Sequence, residues 1–422
     1  MKVDVEEIES CKRKLAVEAP ADVVEKAWER AYGRVQKQAR LPGFRKGHVP
    51  RSLVKLHFAS DVRREVAEHL IPDVYRQAVS EAHIDPVNDP DLRDVRLEEG
   101  EPLSFVAIVE VKPAIPLGDV RGVEVTRKVV PISDADVDEA LERMREQYAE
   151  FRAVERPANP GDLVIVDATL TPEGREPVVE RGSEFVIGAG SVLPEIDHLV
   201  VGMSAGEERH AGVRFPDDYR TEELRGRSGT VDVKLTEVKE KVVPALDDEF
   251  AKTLGDFDNL DAVRAELKKQ LEAQRAADEK RQLEESVVDA VLARHEFGVP
   301  DALVLRHVSH QVQHARERIR RQGVDPDRVP WDYQKIVAEL KPVAEKVVRR
   351  TLLLEAIAER EGLAPSEADV DAELERLAQA AQRPAPAVRR MMEKSGDLEA
   401  LRQGLRERMA VDFLTQHATV RE

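Results

Sequence analysis

The chain has 422 residues, with 83 Asp and Glu against 65 Lys and Arg, a net charge of −18 and only 4% aromatic residues. That length suits about two to four domains, and the acidic balance excludes wholesale coating of nucleic acid or of an anionic membrane, so any such contact must be local. The one cysteine, Cys11, excludes intramolecular disulfides and cysteine-based zinc sites and is compatible with a reducing compartment.

In chain order, residues 1–112 read as a mixed α/β unit. The start, "MKVDVEEIESCKRK", lacks the apolar core of a secretory signal, and no apolar run approaches the ~20 residues that span a bilayer, so a cytoplasmic protein with no membrane partner is expected. "CKRKLAVEAP" reads as an early strand. Cys11 is expected to be inert within it, although Lys12 and Arg13 could lower its pKa. "ADVVEKAWERAYGRVQKQAR" follows helical spacing, with Val24, Trp28, Ala31 and Val35 on one face and Arg30, Arg34 and Lys37 pointing outward. Pro50 suits the first turn of the next helix, "SDVRREVAEHLIPDVYRQAVSEA" is a further helix, and "DVRLEEGEPLSFVAIVEV" gives two strands around a Gly-containing turn.

Residues 113–152 read as a connector holding a strand-like "GVEVTRKVV" and a helix N-capped by Ser133. Residues 153–240 form a small β-rich module in which Gly and Pro punctuate "GDLVIVDATL", "SEFVIGAG" and "GTVDVKLTEV". Residues 241–422 are expected to be an elongated, all-α arm domain. A first long helix ends near His295, and others lie near 300–322, 331–361 (with Pro342 starting or kinking it), 366–382 and 397–416. Stripes such as Val348, Leu352 and Ile357 build core between helices. "SEADVDAELERL" (366–377) echoes "SDADVDEALERM" (133–144), which a capped amphipathic helix can repeat by chance. The fold class is thus α+β and multidomain.

One stretch reverses the acidic background. Between Arg30 and Ser60 stand eight Lys/Arg, two His and no acid, which leaves the rest of the chain at −26. Within "RLPGFRKGHVPRSLV", Gly43 and Gly47 bracket Phe44-Arg45-Lys46, with Pro42 and Pro50 outside them. Glycines supply the turn and prolines stop helix propagation, so a tight tip presenting one Phe and two cations is expected. An exposed Phe is a candidate anchor for a partner's pocket, and the cations suit carboxylates or phosphates. Alternatively, Phe44 folds back on its own core. "GFRKGHVP" resembles the ribosome-binding signature of the bacterial trigger factor family, G-F-R-x-G-x-x-P, at every fixed position. The order of head, connector, β module and helical arms resembles that family over essentially the whole chain. The resemblance implies an ATP-independent chaperone docked beside the ribosomal exit tunnel, where it shields nascent and unfolded polypeptides. Phe44, Arg45 and Lys46 would contact a ribosomal protein and ribosomal RNA, held by Gly43 and Gly47.

"FVIGAGSVLPEIDHLVVGMSAGEE" is similar to the FKBP-type prolyl isomerase pattern, and "FPDDY" to that family's segment with a pocket tyrosine, here Tyr219. Isomerisation crosses a barrier of roughly 18–20 kcal/mol set by amide resonance and needs no nucleophile, so a dry aromatic pocket decides the activity. Here the lining is thin: Ala168, Ile196 and Val231 stand where the family usually has aromatics, and Glu195 replaces a glycine. Val192, Leu193, Ile196 and Tyr219 would still form an apolar cleft, with weakened isomerase activity or a spacer role expected.

Other constellations carry less. His307, His310 and His314 share a helical face opposite Leu305, Val308, Val312, Ala315 and Ile319 and are expected to face solvent, with no metal and no cofactor. "GMSAG" (202–206) matches a nucleophile pattern only by letter, so Ser204 is not a candidate catalyst. Met391 and Met392, in a tip-like "RRMMEKSG", are candidates for binding clients through flexible side chains. Three rival readings are a free-standing FKBP-type isomerase with recruiting arms, an extracytoplasmic chaperone and a general nucleic-acid module. The last two fit the missing signal and the small basic footprint poorly. Whether the free protein forms a homodimer is left open.

Overall fold

The computed structural model describes residues 1–42, 44–127, 129–219 and 224–421. They fall into two compact units, Met1–Lys128 with Lys280–Glu422, and Val129–Glu279.

The first unit opens with strands β1 (Lys2–Glu9) and β2 (Lys12–Ala19), helices α1 (Ala21–Gln38), α2 (Arg51–His57) and α3 (Ala59–Glu81), then strands β3 (Asp91–Arg96) and β4 (Leu103–Glu110). The four strands make an antiparallel sheet in the order β1-β2-β4-β3. Alternation aims Leu103, Phe105, Ala107 and Val109 of β4 and Leu15, Val17 and Ala19 of β2 at one face, where Val24, Trp28, Ala31 and Tyr32 of α1 and Val62, Val66 and Val74 of α3 close the core. Strand β1 was not legible in the sequence, because its charged residues break the alternation and leave Val5 and Ile8 exposed. Cys11 lies in the β1–β2 turn rather than in a strand, and burial pushes its thiol up despite Arg13. Pro50 takes the N-cap position of α2.

Strand β5 (Glu124–Thr126) follows. Residues Ile115, Leu117, Val120, Val123 and Val125 around it pack into the helical core formed with Val287, Val288, Val291, Leu353 and Ile357. The buried His295 ring secures this segment: Gly118 N–H donates to Nε2 at 3.1 Å, and Nδ1 lies 2.7 Å from the Val291 carbonyl, so Nδ1 carries the proton.

The second unit holds α4 (Asp134–Gln147), β6 (Glu150–Ala153), β7 (Leu163–Pro172), β8 (Val178–Val186), α5 (Pro194–Val200), β9 (Glu208–Arg214), β10 (Ser228–Val242) and α6 (Asp248–Leu254). Ser133 caps α4 in a reciprocal box with Asp136. The sheet runs β6-β10-β7-β8, with β9 also on β10. A register shift between Leu235 and Glu237 switches the inward positions of β10 from Val231, Val233 and Leu235 to Val238. Buried Asp162 accepts both Arg156 guanidinium bonds (2.6 and 3.0 Å) and the Asn159 N–H. Burial pushes this carboxyl up, but Arg156 and Asn159 outweigh it and hold its pKa below the ordinary aspartate value.

The remaining helices are α7 (Leu260–Leu292), about 50 Å long and crossing the boundary between the units, α8 (Asp301–Arg321), α9 (Tyr333–Arg360), α10 (Glu367–Ala380), α11 (Ala385–Ser395) and α12 (Asp397–Gln416), with a short β11 (Thr419–Arg421) pairing in parallel with β5. Helix α9 contains Pro342 and serves two cores: Ala344, Val348 and Leu352 face α8, while Leu353, Leu354, Ile357 and Ala358 face α7 and α12. Val304, not Leu305, completes the buried stripe of α8, and Leu305 is exposed. Helix α10 repeats the Ser-Asp capping box of α4 through Ser366 and Asp369. The "RRMMEKSG" stretch is no loop tip. It forms most of α11 and ends at left-handed Gly396.

Candidate functional site

The basic loop is built from the end of α1 and the start of α2. Helix α1 stops at Ala39, whose N–H still reaches Val35 O at 2.8 Å. Two local turns follow, with Phe44 N–H donating to Leu41 O (3.0 Å) and His48 N–H to Arg45 O (2.9 Å). The Gln36 amide donates to Val49 O at 2.8 Å, and Val49 is fully buried, so the returning strand of the loop is pinned to α1. Gly47 has φ +82°, a backbone region that favours glycine, while a Cβ there would make only ordinary contact with the Lys37 carbonyl at 3.5 Å. Gly43 lies outside the described residues.

On this frame Phe44 is 41% exposed, and Arg45 and Lys46 are exposed without an ion pair among the described residues. The alternative, Phe44 folded into its own core, does not occur. Three cations of the basic segment are neutralised: Arg34 by Glu65 (2.8 Å), Lys55 by Glu99 (2.8 Å) and Arg51 by Glu29. Leu56 of α2 is 72% exposed, a feature that went unread in the sequence. Its signal was helical phase, since it stands about 200° around α2 from buried Val54.

In the β module, Leu193 is buried and Val192, Ile196 and Tyr219 are half-buried against the same core as Val200, Met203 and Val213. Leu193 caps α5, with Pro194 in its first turn, and Ile196 N–H returns to Leu193 O at 2.9 Å. Tyr219 meets Phe215 edge-on, centroids 4.9 Å apart. Phe215 and Phe185 are buried aromatics of this core that the sequence reading did not single out; alternation along β8 and β9 was the available signal. Val231 is fully buried and Ala168 half-buried. Glu195 accepts from Arg214 N–H at 3.3 Å through Oε1, while its buried Oε2 has no hydrogen-bond partner. Residues 220–223, next to Tyr219, are outside the described set.

The remaining candidates separate. Met391 is 53% exposed on α11, whereas Met392 packs toward Val370, Leu374 and Val388. His310 and His314 meet edge-on with Nε2 atoms 3.2 Å apart, and His307 pairs instead with Gln311. Ser204 sits in the turn between α5 and β9. Among the described residues, no helix is long and apolar enough to cross a membrane.

Comparison with known proteins covers the whole chain. The family model described as "Bacterial trigger factor protein (TF)" matches residues 1–144, its C-terminal counterpart matches 259–416, and the FKBP-type peptidyl-prolyl cis-trans isomerase model matches 154–236. The chain is 36% identical over 423 residues to the trigger factor of Natranaerobius thermophilus (98% of this chain, 95% of the relative). It is 34% identical over 430 residues to that of Geobacillus kaustophilus (100% of each). The identity is 32% over 429 residues to that of Halothermothrix orenii (99% of each). A solved structure of the trigger factor chaperone superposes with a TM-score of 0.51 at 21% identity, covering 99% of both chains, and so shares the fold.

Proposed function

The chain belongs to the bacterial trigger factor family, ribosome-associated chaperones with an FKBP-type module, and from that premise we propose that Phe44, Arg45 and Lys46 are its ribosome dock. The observation that carries this is the loop's division of labour: Gln36, Val49 and Gly47 hold its backbone while its apolar and cationic side chains face solvent with no partner among the described residues. A ribosomal protein pocket would receive Phe44, and ribosomal RNA or acidic side chains would receive the two cations, beside the exit tunnel. Nascent and unfolded polypeptides in the cytoplasm would be the clients, with exposed Met391 supplying flexible apolar contact and Met392 supporting it from the core.

For the FKBP-type module we propose a weakened prolyl pocket of Val192, Leu193, Ile196 and Tyr219. The Tyr219–Phe215 pair retains one aromatic wall, but Ala168 and Ile196 offer no aromatic opposite. The full-length kinship favours the chaperone over a free-standing isomerase. Cosedimentation with vacant bacterial ribosomes tests the dock: replacing Phe44, Arg45 and Lys46 with Ala should abolish it at unchanged melting temperature, and retained binding would refute the assignment. A proline-limited refolding assay tests the pocket, which should act slowly and lose its residual effect on Tyr219→Ala.

A further inference from the structure

We propose that the outward face of α1 carries a second, purely electrostatic contact, in which Arg30, Lys37 and Arg40 follow the phosphate backbone of ribosomal RNA alongside the loop. The proposal rests on the docking reading above and adds residues to it. Arg30 and Lys37 stand seven residues apart on one helical face, a separation of about 10 Å, and Arg40 continues the row into the loop. All three are exposed and, like Arg45 and Lys46, have no acid partner among the described residues.

Their isolation is selective. Glu29 is engaged by Arg51, Glu65 by Arg34 and His69, and Asp22 by Lys26, while exposed Glu25 of α1 pairs with none of the three cations. A chain with 83 acids could have neutralised three more cations, as it does elsewhere. Beside the row, a groove of about 390 Å³ opens between α1 and α3, where Lys26, Arg30, Arg34 and Arg76 stand with Glu68 and Asp73 around Ala27, Leu70 and Val74. A row of unneutralised cations suits a polyanion whose charges repeat along its backbone. A protein partner would instead select paired, shape-specific contacts.

Counterion release makes the test quantitative, because each phosphate contact contributes about 0.7–0.9 to the slope of log affinity against log salt. Binding to vacant ribosomes would be titrated across a salt series for wild type, the triple variant Arg30→Ala/Lys37→Ala/Arg40→Ala, and Phe44→Ala. The triple variant should reduce the slope by about 2 and lose at least ~10-fold in affinity at low salt, with the melting temperature of wild type. Phe44→Ala should weaken binding with its slope intact. A triple variant with the wild-type slope overturns the proposal and leaves the dock standing, even if affinity falls, since the cations would then meet protein. If Phe44→Ala binds normally while the triple variant loses its slope, the loop dock fails and the phosphate row survives. Absence of wild-type binding refutes both.

Discussion

The basic segment of residues 30–60 and the helices α10–α12 are both rich in cations, yet in α10–α12 the paired ones converge on shared acids between helices, with Arg390, Lys394 and Arg406 left out. In α10–α12, Arg389 reaches Glu367, Asp371 and Glu393, Arg402 joins it on Glu367, and Arg376 and Arg408 converge on Glu373, which is only 9% exposed. In the basic segment five of eight cations have no acid among the described residues. Charges saturated within the fold hold helices together; charges left unsaturated on a pinned backbone are available to a partner. The two regions should therefore respond oppositely to mutation, one in stability and the other in binding.

The sharpest separation is expected from buried, saturated carboxylates. Asp162→Ala in the β module removes the acceptor for Arg156 and Asn159 and should cost about 3 kcal/mol in that module's unfolding transition, with little effect on ribosome binding. Alanine at Phe44, Arg45 and Lys46 should do the reverse: a loss of about 2 kcal/mol or more of binding, roughly 30-fold, in a ribosome titration, with thermal unfolding unmoved. Glu373→Ala should cost about 1 kcal/mol of stability, because it removes the acceptor shared by Arg376 and Arg408, whose side chains stay hydrated; if it costs no more than Arg45→Ala, the contrast between the regions collapses.

Acid should reproduce the same division. Hydrogen bonds from Arg376 lead the effects that hold the Glu373 pKa below its ordinary value, and Asp162 is likewise depressed. A folded-state pKa below the unfolded one gives stability that is complete above the ordinary carboxylate pKa, about 4, and is lost as pH falls through the depressed value. Melting temperature should therefore decline below about pH 4, and Asp162→Asn should lessen the decline in the β module. The smallest effect belongs to single Arg45→Ala or Lys46→Ala changes, within about 0.5 kcal/mol of wild-type stability by denaturant unfolding.

Much of this was legible beforehand for identifiable reasons. The apolar faces of α1 and β4 follow their 3.6- and 2-residue periods, the Ser133 cap is a local pattern, and the loop motif is contiguous. Strand β1 escaped because an edge strand buries little, and α11 escaped because "RRMMEKS", flanked by Pro384, Pro386 and Gly396, reads as a turn. Leu305 was misplaced because the phase of α8 is set by the helix packed against it, which selects Val304, Val308 and Val312.

By itself the sequence determined most of the amphipathic elements, where glycine and proline turn the chain, and that a cationic tip interrupts an acidic molecule, since each depends on residues within a few positions of one another. Only the tertiary structure decided which of eight cations stay free and which of two adjacent methionines faces solvent. Ion pairs such as Arg34–Glu65 and Lys55–Glu99, and the packing of Met392 against Val370 and Leu374, join residues distant in the chain. The free energy of those contacts depends on distance in space, which local patterns do not encode.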